Sequence, residues 1–139
     1  MDAVAVSELY KQLDGEHLHL LEEIYHPDVV FEDAAHRIEG RESLYHYFET
    51  LYLNVNKCVF HISETHQSGD KGFIVWVMEL QHPKLNGGDA ISVHGVTHLS
   101  FADKQVIYHR DYFDLGEMLY EQLPLLGGVI RAIKRRLGQ

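Results

Sequence analysis

The spacing of apolar residues changes along this chain from a helical to a strand-like period, and that change constrains the fold most. Beyond residue 57, apolar residues tend to occupy every second position in long segments, as is typical of β-strands. These segments are residues 58–66, 73–81, 89–101 and 106–114. Short turns join them, among them Ser-Gly-Asp-Lys-Gly at residues 68–72. Consecutive long strands with short connections predict an antiparallel sheet.

Before these strands, the apolar residues recur at helical spacing. The predicted helices cover residues 7–13, 16–25 and 43–54, with Pro27 ending the second helix and a short strand at residues 29–33. Helices followed by a run of strands indicate an α+β domain in which the helices cover one face of the sheet. A curved sheet closed in this way forms a cone, and its interior is a favoured place for a small ligand.

Length and composition narrow the class of protein further. The 139 residues form one domain, residues 1–139, with enough chain to bury a core. The formal net charge of −9 argues against a nucleic-acid partner, and no apolar run is long enough for an integral membrane segment. The single cysteine, Cys58, excludes an internal disulfide. Since the first residues lack a secretory signal pattern, we expect a cytoplasmic protein.

The charge is distributed unevenly. No acidic residue follows Glu121, whereas four of the twelve basic residues lie beyond it. They are Arg131, Lys134, Arg135 and Arg136. Residues 125–137 also carry an apolar stripe at helical spacing, which predicts an amphipathic C-terminal helix. The simplest interpretation is a helix that packs its apolar side and solvates its cations; lid, membrane-surface or partner contacts are the alternatives.

Three ionisable residues lie in phase with apolar neighbours in the predicted strands. Asp33 shares a strand face with Val29 and Phe31, and His109 and Asp111 share a face of the last long strand. Charged groups on an apolar face are costly unless they are paired or functional. Asp33 could instead cap a turn, and His109 and Asp111 could form an internal ion pair or lie on an exposed face.

The eleven histidines raise the question of a metal site. No compact motif such as HExxH is present, and His94 and His98 share a strand face without a clear third ligand. A set of His36, Asp33, His109 and Asp111 is the other candidate. We expect no metal and no organic cofactor.

Two segments carry a resemblance to a known superfamily. The segments IYHPDVVFEDAAHRIEGRESLYHYF, residues 24–48, and HLSFADKQVIYHRDYFDL, residues 98–115, resemble the nuclear transport factor 2 superfamily. That superfamily includes ketosteroid isomerase and the SnoaL-like polyketide cyclases. The resemblance covers about residues 7–119 and implies a cone-shaped, curved antiparallel sheet with three covering helices and a deep pocket. The segment at about residues 116–139 is an extra helical extension.

The resemblance implies an acid–base site. Asp33 matches the aspartate that acts as general base in ketosteroid isomerase. Asp111, in the His-Arg-Asp segment, matches the acid–base aspartate of the SnoaL-like cyclases, and His109 lies two residues before it on the same strand face. These three residues are the expected catalytic groups.

The oxyanion-hole residues of ketosteroid isomerase do not carry over. Their positions fall near Thr97 and Leu9, with Tyr10 one residue away, so we do not expect steroid isomerisation by that mechanism. The hairpin length leaves open whether Thr97 or His98 faces the pocket. The expected substrate contacts are His36, Tyr47, Trp76, Met78, Thr97, Leu99 and Phe113.

These observations favour a SnoaL-like pocket protein that acts as a cofactor-independent acid–base enzyme. The reaction would be a cyclisation, isomerisation, dehydration or epoxide opening, on a small and mostly apolar molecule with a carbonyl group. One alternative is a non-catalytic binding module for an apolar metabolite or lipid-like ligand, since fold does not establish function. Another is a pure interaction domain. The resemblance also implies a homodimer that forms through the outer face of the sheet.

Overall fold

A curved, mixed sheet of six strands in the order β2-β1-β6-β5-β4-β3 forms the body of the protein. A computed structural model describes residues 1–123 and 125–138. The strands are β1 (Tyr25–Glu32), β2 (Arg37–Glu39), β3 (Lys57–Ser68), β4 (Lys71–Gln81), β5 (Ile91–Ala102) and β6 (Gln105–Phe113). All neighbouring pairs are antiparallel except β1 and β6, which run parallel. The predicted α+β class is confirmed, with this one parallel pair as a correction.

The helices lie before, between and after the strands. They are α1 (Ala3–Tyr10), α2 (Leu20–Ile24), α3 (Arg41–Asn54), α4 (Leu115–Met118) and α5 (Leu126–Leu137). Short 3₁₀ turns occur at Asn86–Gly88 and Tyr120–Gln122. The extra C-terminal helix is therefore present, although positions 124 and 139 of the predicted extension lie outside the described residues. No helix in the described ranges is long and apolar enough to cross a bilayer.

The predicted second helix was too long. α2 ends at Ile24, and Tyr25 already begins β1, so Pro27 lies inside a strand rather than ending a helix. The register of β1 against β6 shifts between Tyr25 and Val30, and such an irregularity tolerates a residue that cannot donate a backbone hydrogen bond. The short strand β2 had not been predicted.

The core lies between the inner face of the sheet and helices α1–α3. Leu21 of α2, Leu44 of α3 and Val93 of β5 are fully buried within it. One position in this layer requires glycine: a methyl group on Gly95 would lie 2.2 Å from the ring of Trp76, its partner on β4. Because Gly95 has no side chain, the indole ring can lie across β5, where its N–H reaches Thr97.

Candidate functional site

A cavity of about 480 Å³ opens on the inner face of the sheet. Aromatic and aliphatic side chains from α3, β3 and β4 form most of its wall, and the segment after β6 adds Met118, Leu119 and Leu123. Two carboxylates, Asp33 and Asp111, also line it. A mostly apolar cavity with a few convergent polar groups is the arrangement typical of small-molecule sites.

Most of the predicted site residues meet at this cavity. The lining includes Asp33, His36, Tyr47, Trp76, Met78, Asp111 and Phe113. Thr97 and His109 line a small adjoining recess beside Asp111. Leu99 is fully buried in the core and lies outside the described lining of either space.

The sheet register brings Thr97 and Asp111 together. They are directly paired across β5 and β6, and the Thr97 hydroxyl donates a hydrogen bond to Asp111 Oδ1 at 2.5 Å. The indole N–H of Trp76 donates to Thr97 Oγ1 at 2.8 Å. Because an indole nitrogen can only donate, the Thr97 oxygen accepts from Trp76 and directs its own proton to Asp111. This geometry suits an ionised Asp111.

His109 approaches the same carboxylate oxygen from the other side. Its Nε2 lies 2.7 Å from Asp111 Oδ1, and its Nδ1 lies 2.9 Å from the hydroxyl of Tyr25. The Tyr25 hydroxyl in turn contacts that of Tyr10. The imidazole also packs on Phe31, with the ring centroids 4.4 Å apart. A row of hydrogen-bonded side chains therefore runs from the partly buried Tyr10 through the buried Tyr25 and His109 to Asp111.

The direction of this row follows from its chemistry. Burial raises the pKa of both Tyr10 and Tyr25 well above the usual phenol range, so both phenols stay protonated. An ionised Asp111 can only accept, so His109 donates to it from Nε2, and the Nδ1 of a neutral ring then accepts from Tyr25, which accepts from Tyr10. Thr97 and His109 thus both direct protons at Oδ1. Asp111 Oδ2 accepts no hydrogen bond from a described residue and is accessible from the cavity.

Asp33 has a different environment at the end of β1. Its Oδ1 accepts hydrogen bonds from the backbone N–H groups of Ala35 and His36 at 2.8 and 2.7 Å. The His36 ring nitrogen lies 3.1 Å from the same oxygen. The side chain is only 8% exposed. One oxygen therefore holds the loop before β2, which is the turn role considered above, while the residue still lines the cavity.

Tyr47 joins Asp33 at the cavity wall. Its hydroxyl donates to Asp33 Oδ2 at 3.4 Å, a long hydrogen bond that a ligand could replace. Burial, with the nearby Asp33 and Asp111 charges, raises the pKa of Tyr47. The phenol is therefore a stable donor at neutral pH, placed beside a second carboxylate.

The structure resolves the question left open on β5. Thr97 is 5% exposed and faces inward. His98 points to the outer face, where its ring stacks on Phe73 with centroids 4.9 Å apart. Within the described ranges, no group of three or more His, Cys, Asp or Glu side chains lies close enough to hold a metal ion.

Sequence reasoning missed the two tyrosines of the network. Tyr25 is the last residue of the helix predicted for residues 16–25, whereas it begins β1 in the same sheet as His109. Tyr10 had entered only as a neighbour of the position that matches the oxyanion tyrosine. The phase of β1 could have indicated Tyr25, because Tyr25, Val29 and Phe31 are all buried along this strand.

Solved structures resemble this fold. One is a hypothetical protein with a ketosteroid isomerase-like fold from Catenulispora acidiphila DSM 44928, in complex with trimethylamine (18% identity, 89% of this chain and 96% of that chain, TM-score 0.76). Another is a candidate SnoaL-like polyketide cyclase from Shewanella denitrificans OS-217 (21% identity, 84% and 93%, TM-score 0.70). A third is an LEH-like epoxide hydrolase from M. tuberculosis (19% identity, 84% and 81%, TM-score 0.70). At these identities, the likeness shows the fold alone.

Sequence comparison identifies the family. No curated protein matches the chain. The profile of the SnoaL-like domain, however, matches residues 6–109, which is well over half of the 139 residues. The matched range contains β1–β5 and the part of β6 that carries His109. The chain therefore belongs to the SnoaL-like domain family.

Proposed function

We propose that this protein is a cofactor-independent acid–base enzyme that acts on a small, apolar molecule with a carbonyl group. The observation that carries the proposal is the environment of Asp111. One of its oxygens accepts hydrogen bonds from Thr97 and His109, while the other is open to an apolar cavity. A fixed carboxylate in an apolar space is suited to proton transfer from a carbon acid.

In the proposed reaction, Asp111 Oδ2 removes a proton from the carbon next to the carbonyl. The electron pair of that C–H bond moves toward the carbonyl oxygen, giving an enolate. Return of the proton to a different atom gives isomerisation, while attack of the enolate on a second carbonyl gives cyclisation. Thr97 and His109 hold the carboxylate in place through Oδ1.

Tyr47 and Asp33 form the second polar position. The Tyr47 hydroxyl, whose raised pKa keeps it protonated, can turn from Asp33 Oδ2 to the carbonyl oxygen of a substrate. A donor aimed at the oxygen on which charge develops stabilises an enolate. Asp33 holds the Tyr47 hydroxyl at this position, and the proton that Asp111 removed returns to carbon in isomerisation or to the alkoxide of the attacked carbonyl in cyclisation.

Deuterium exchange tests this proposal without a known natural substrate. The protein is incubated in D₂O with a panel of small alicyclic and aryl ketones, and mass spectrometry detects deuterium at the carbon next to the carbonyl. We expect protein-dependent exchange in at least one ketone that binds in the cavity. The heat-denatured protein is the control. Ketones that bind in the cavity without any exchange would contradict the acid–base assignment.

The mostly apolar wall favours a second candidate, a binding module for an apolar metabolite or lipid-like molecule. In that case Asp111 would only orient the ligand. Trp76→Ala and Phe113→Ala would then weaken binding more than Asp111→Asn, as measured by titration calorimetry with any ketone found to bind. If Asp111→Asn removes deuterium exchange and leaves the affinity for the same ketone intact, the enzyme is favoured.

We also propose a homodimer through the outer face of the sheet. Large side chains are exposed there, with Phe73 at 38% and Tyr112 at 55%. Light scattering coupled to size exclusion should give twice the chain mass, and Phe73→Glu with Tyr112→Glu should give a monomer. A wild-type protein that stays monomeric at high concentration would contradict this assembly.

A cytoplasmic location completes the proposal. The single cysteine, Cys58, is a free thiol that burial keeps protonated at neutral pH, as suits a reducing compartment. Cell fractionation against markers of each compartment tests it, and recovery of the protein outside the cytoplasm would contradict it.

A further inference from the structure

Helix α5 exposes an apolar stripe that no other described element covers. Its members follow one side of the helix at spacings of three and four residues, and each is between 41% and 82% exposed. They are Leu126, Val129, Ile133 and Leu137. Large apolar side chains in a continuous exposed row usually mark a binding surface. The acid–base site does not use this stripe.

A different side of α5 contacts the segment just before it, residues 114–123, and these contacts hold the helix in place while the stripe stays exposed. The Gly127 N–H donates to the Leu123 carbonyl at 2.8 Å, and the Arg131 guanidinium donates to the Glu121 carbonyl. Lys134 pairs with the carboxylates of Asp114 and Glu121. A methyl group on Gly127 would lie 2.3 Å from the Glu121 carbonyl oxygen, which shows how closely the helix approaches.

Basic residues lie on the same helix as the apolar stripe. The last turn of α5 contains Lys134, Arg135 and Arg136. Of these three residues, Lys134 alone forms ion pairs with described residues. Arg135 and Arg136 have no carboxylate partner among the described residues. The residues before α5 include 8 basic and 21 acidic side chains, a formal charge of −13. This asymmetry orients the molecule with α5 toward a negative surface.

We propose that α5 binds the surface of an anionic lipid bilayer, with the apolar stripe in the boundary between headgroups and acyl chains. A strongly amphipathic helix with Lys and Arg on its polar side is the type of helix that lies in this plane. Its 12 residues span about 18 Å, which is too short to cross a bilayer, so the helix lies on the membrane.

Charge favours lipid over a second copy of helix α5 as the partner of the stripe. Pairing two α5 helices would bring two sets of arginines together. Anionic headgroups supply the negative charge that Arg135 and Arg136 lack. This inference does not depend on the reaction in the cavity.

Vesicle co-sedimentation of the full chain tests this proposal. Vesicles of phosphatidylcholine alone are compared with vesicles that also contain phosphatidylglycerol, at low and high salt. The stripe variant is Val129→Glu with Ile133→Glu, both at exposed positions. The charge variant is Arg135→Gln with Arg136→Gln. The matched control is Leu53→Glu, which changes an 81% exposed leucine at the end of α3. Circular dichroism confirms that each variant is folded.

We expect wild type and Leu53→Glu to bind the phosphatidylglycerol vesicles, with binding that weakens as salt rises. The stripe variant should bind more than about tenfold more weakly, because two apolar side chains no longer leave water. The charge variant should lose about thirtyfold, which corresponds to about 1 kcal/mol for each cation. No binding by wild type at low salt, or undiminished binding by the stripe variant, would overturn the proposal. So would a stripe-dependent dimer without vesicle binding.

Discussion

Thr97 and Asp111 are directly opposed across β5 and β6, and their side-chain oxygens are 2.5 Å apart. The pair lies on the inner face of the sheet, where Asp111 also lines the cavity. Thr97 is itself fixed by the indole of Trp76, whose ring needs the space above Gly95. The position of the carboxylate is thus determined by three neighbouring strands, and the variants below test each connection.

Thr97→Val should lower both stability and activity. The change removes the donor to Asp111 and leaves the buried indole N–H of Trp76 without its acceptor, which costs about 1–3 kcal/mol. Urea unfolding measures the loss of stability, and deuterium exchange into a bound ketone measures activity. Thr97→Ser keeps the hydroxyl and should retain most of both. Equal losses of stability and activity in Thr97→Val and Thr97→Ser would show that the Thr97 hydroxyl contributes to neither.

Tyr10 and Tyr25 should be energetically coupled through their hydroxyls. Tyr10→Phe and Tyr25→Phe each remove a buried hydrogen bond, and each should reduce the free energy of unfolding by about 1 kcal/mol or more. The double variant should lose less than the sum, with a coupling energy of about 0.5–3 kcal/mol. Tyr120→Phe, at a half-exposed site, is the control. If the double variant lost the full sum of the two single losses, Tyr10 and Tyr25 would not belong to one hydrogen-bond network with His109.

Gly95→Ala should displace Trp76. The added methyl group meets the indole ring at 2.2 Å, and overpacking of this kind costs about 1–3 kcal/mol. Because Trp76 is the only tryptophan, its fluorescence reports the change directly. Gly128→Ala has nothing within 4 Å of the new methyl group and should leave both the emission and the melting temperature of the body unchanged. An unshifted emission in Gly95→Ala would show that the indole is not held against β5.

Cys58 should titrate at unusually high pH. Burial raises the pKa of its thiol from 9.0 to about 11 in the folded protein. The rate of alkylation by iodoacetamide should therefore reach half of its maximum near pH 11 in the folded protein and near pH 9 in denaturant. Mass spectrometry follows the single thiol. A folded-state midpoint near pH 9 would contradict the raised pKa of this thiol.

The same shift has a consequence for stability. A raised folded-state pKa means that the folded protein holds the thiol proton more tightly than the unfolded chain does. This contribution is fully present below about pH 9 and is lost as the pH rises toward about 11. The stability of Cys58→Ala should therefore fall less steeply than that of wild type over this range. Parallel unfolding curves would contradict the assignment.

Local periodicity predicted the parts of the site that lie within single strands. Positions two apart on a strand share a face, so His109 and Asp111 were expected side by side, and both face inward. The switch from helical to strand-like spacing likewise indicated the α+β class. These features follow from the pattern of neighbouring residues alone.

The pairing of strands that are far apart in the sequence determined the features of the site that local periodicity could not predict. That β1 runs parallel to β6, and so brings Phe31 opposite His109, depends on contacts between residues far apart in the chain. The same pairing places Tyr25 at the imidazole. Leu99 shares the inward face of β5, yet it is fully buried, because position along the strand as well as phase determines what reaches the cavity.

Asp111 is the proposed general base, and a pair of matched variants tests this role. Asp111→Asn and Asp28→Asn make the same chemical change, but Asp28 is exposed on β1. Deuterium exchange into a bound ketone should fall about 10²–10⁴-fold in Asp111→Asn, the range expected for loss of a general base. It should be unchanged in Asp28→Asn, with both variants folded. Exchange at the wild-type rate in Asp111→Asn would contradict the proposed function.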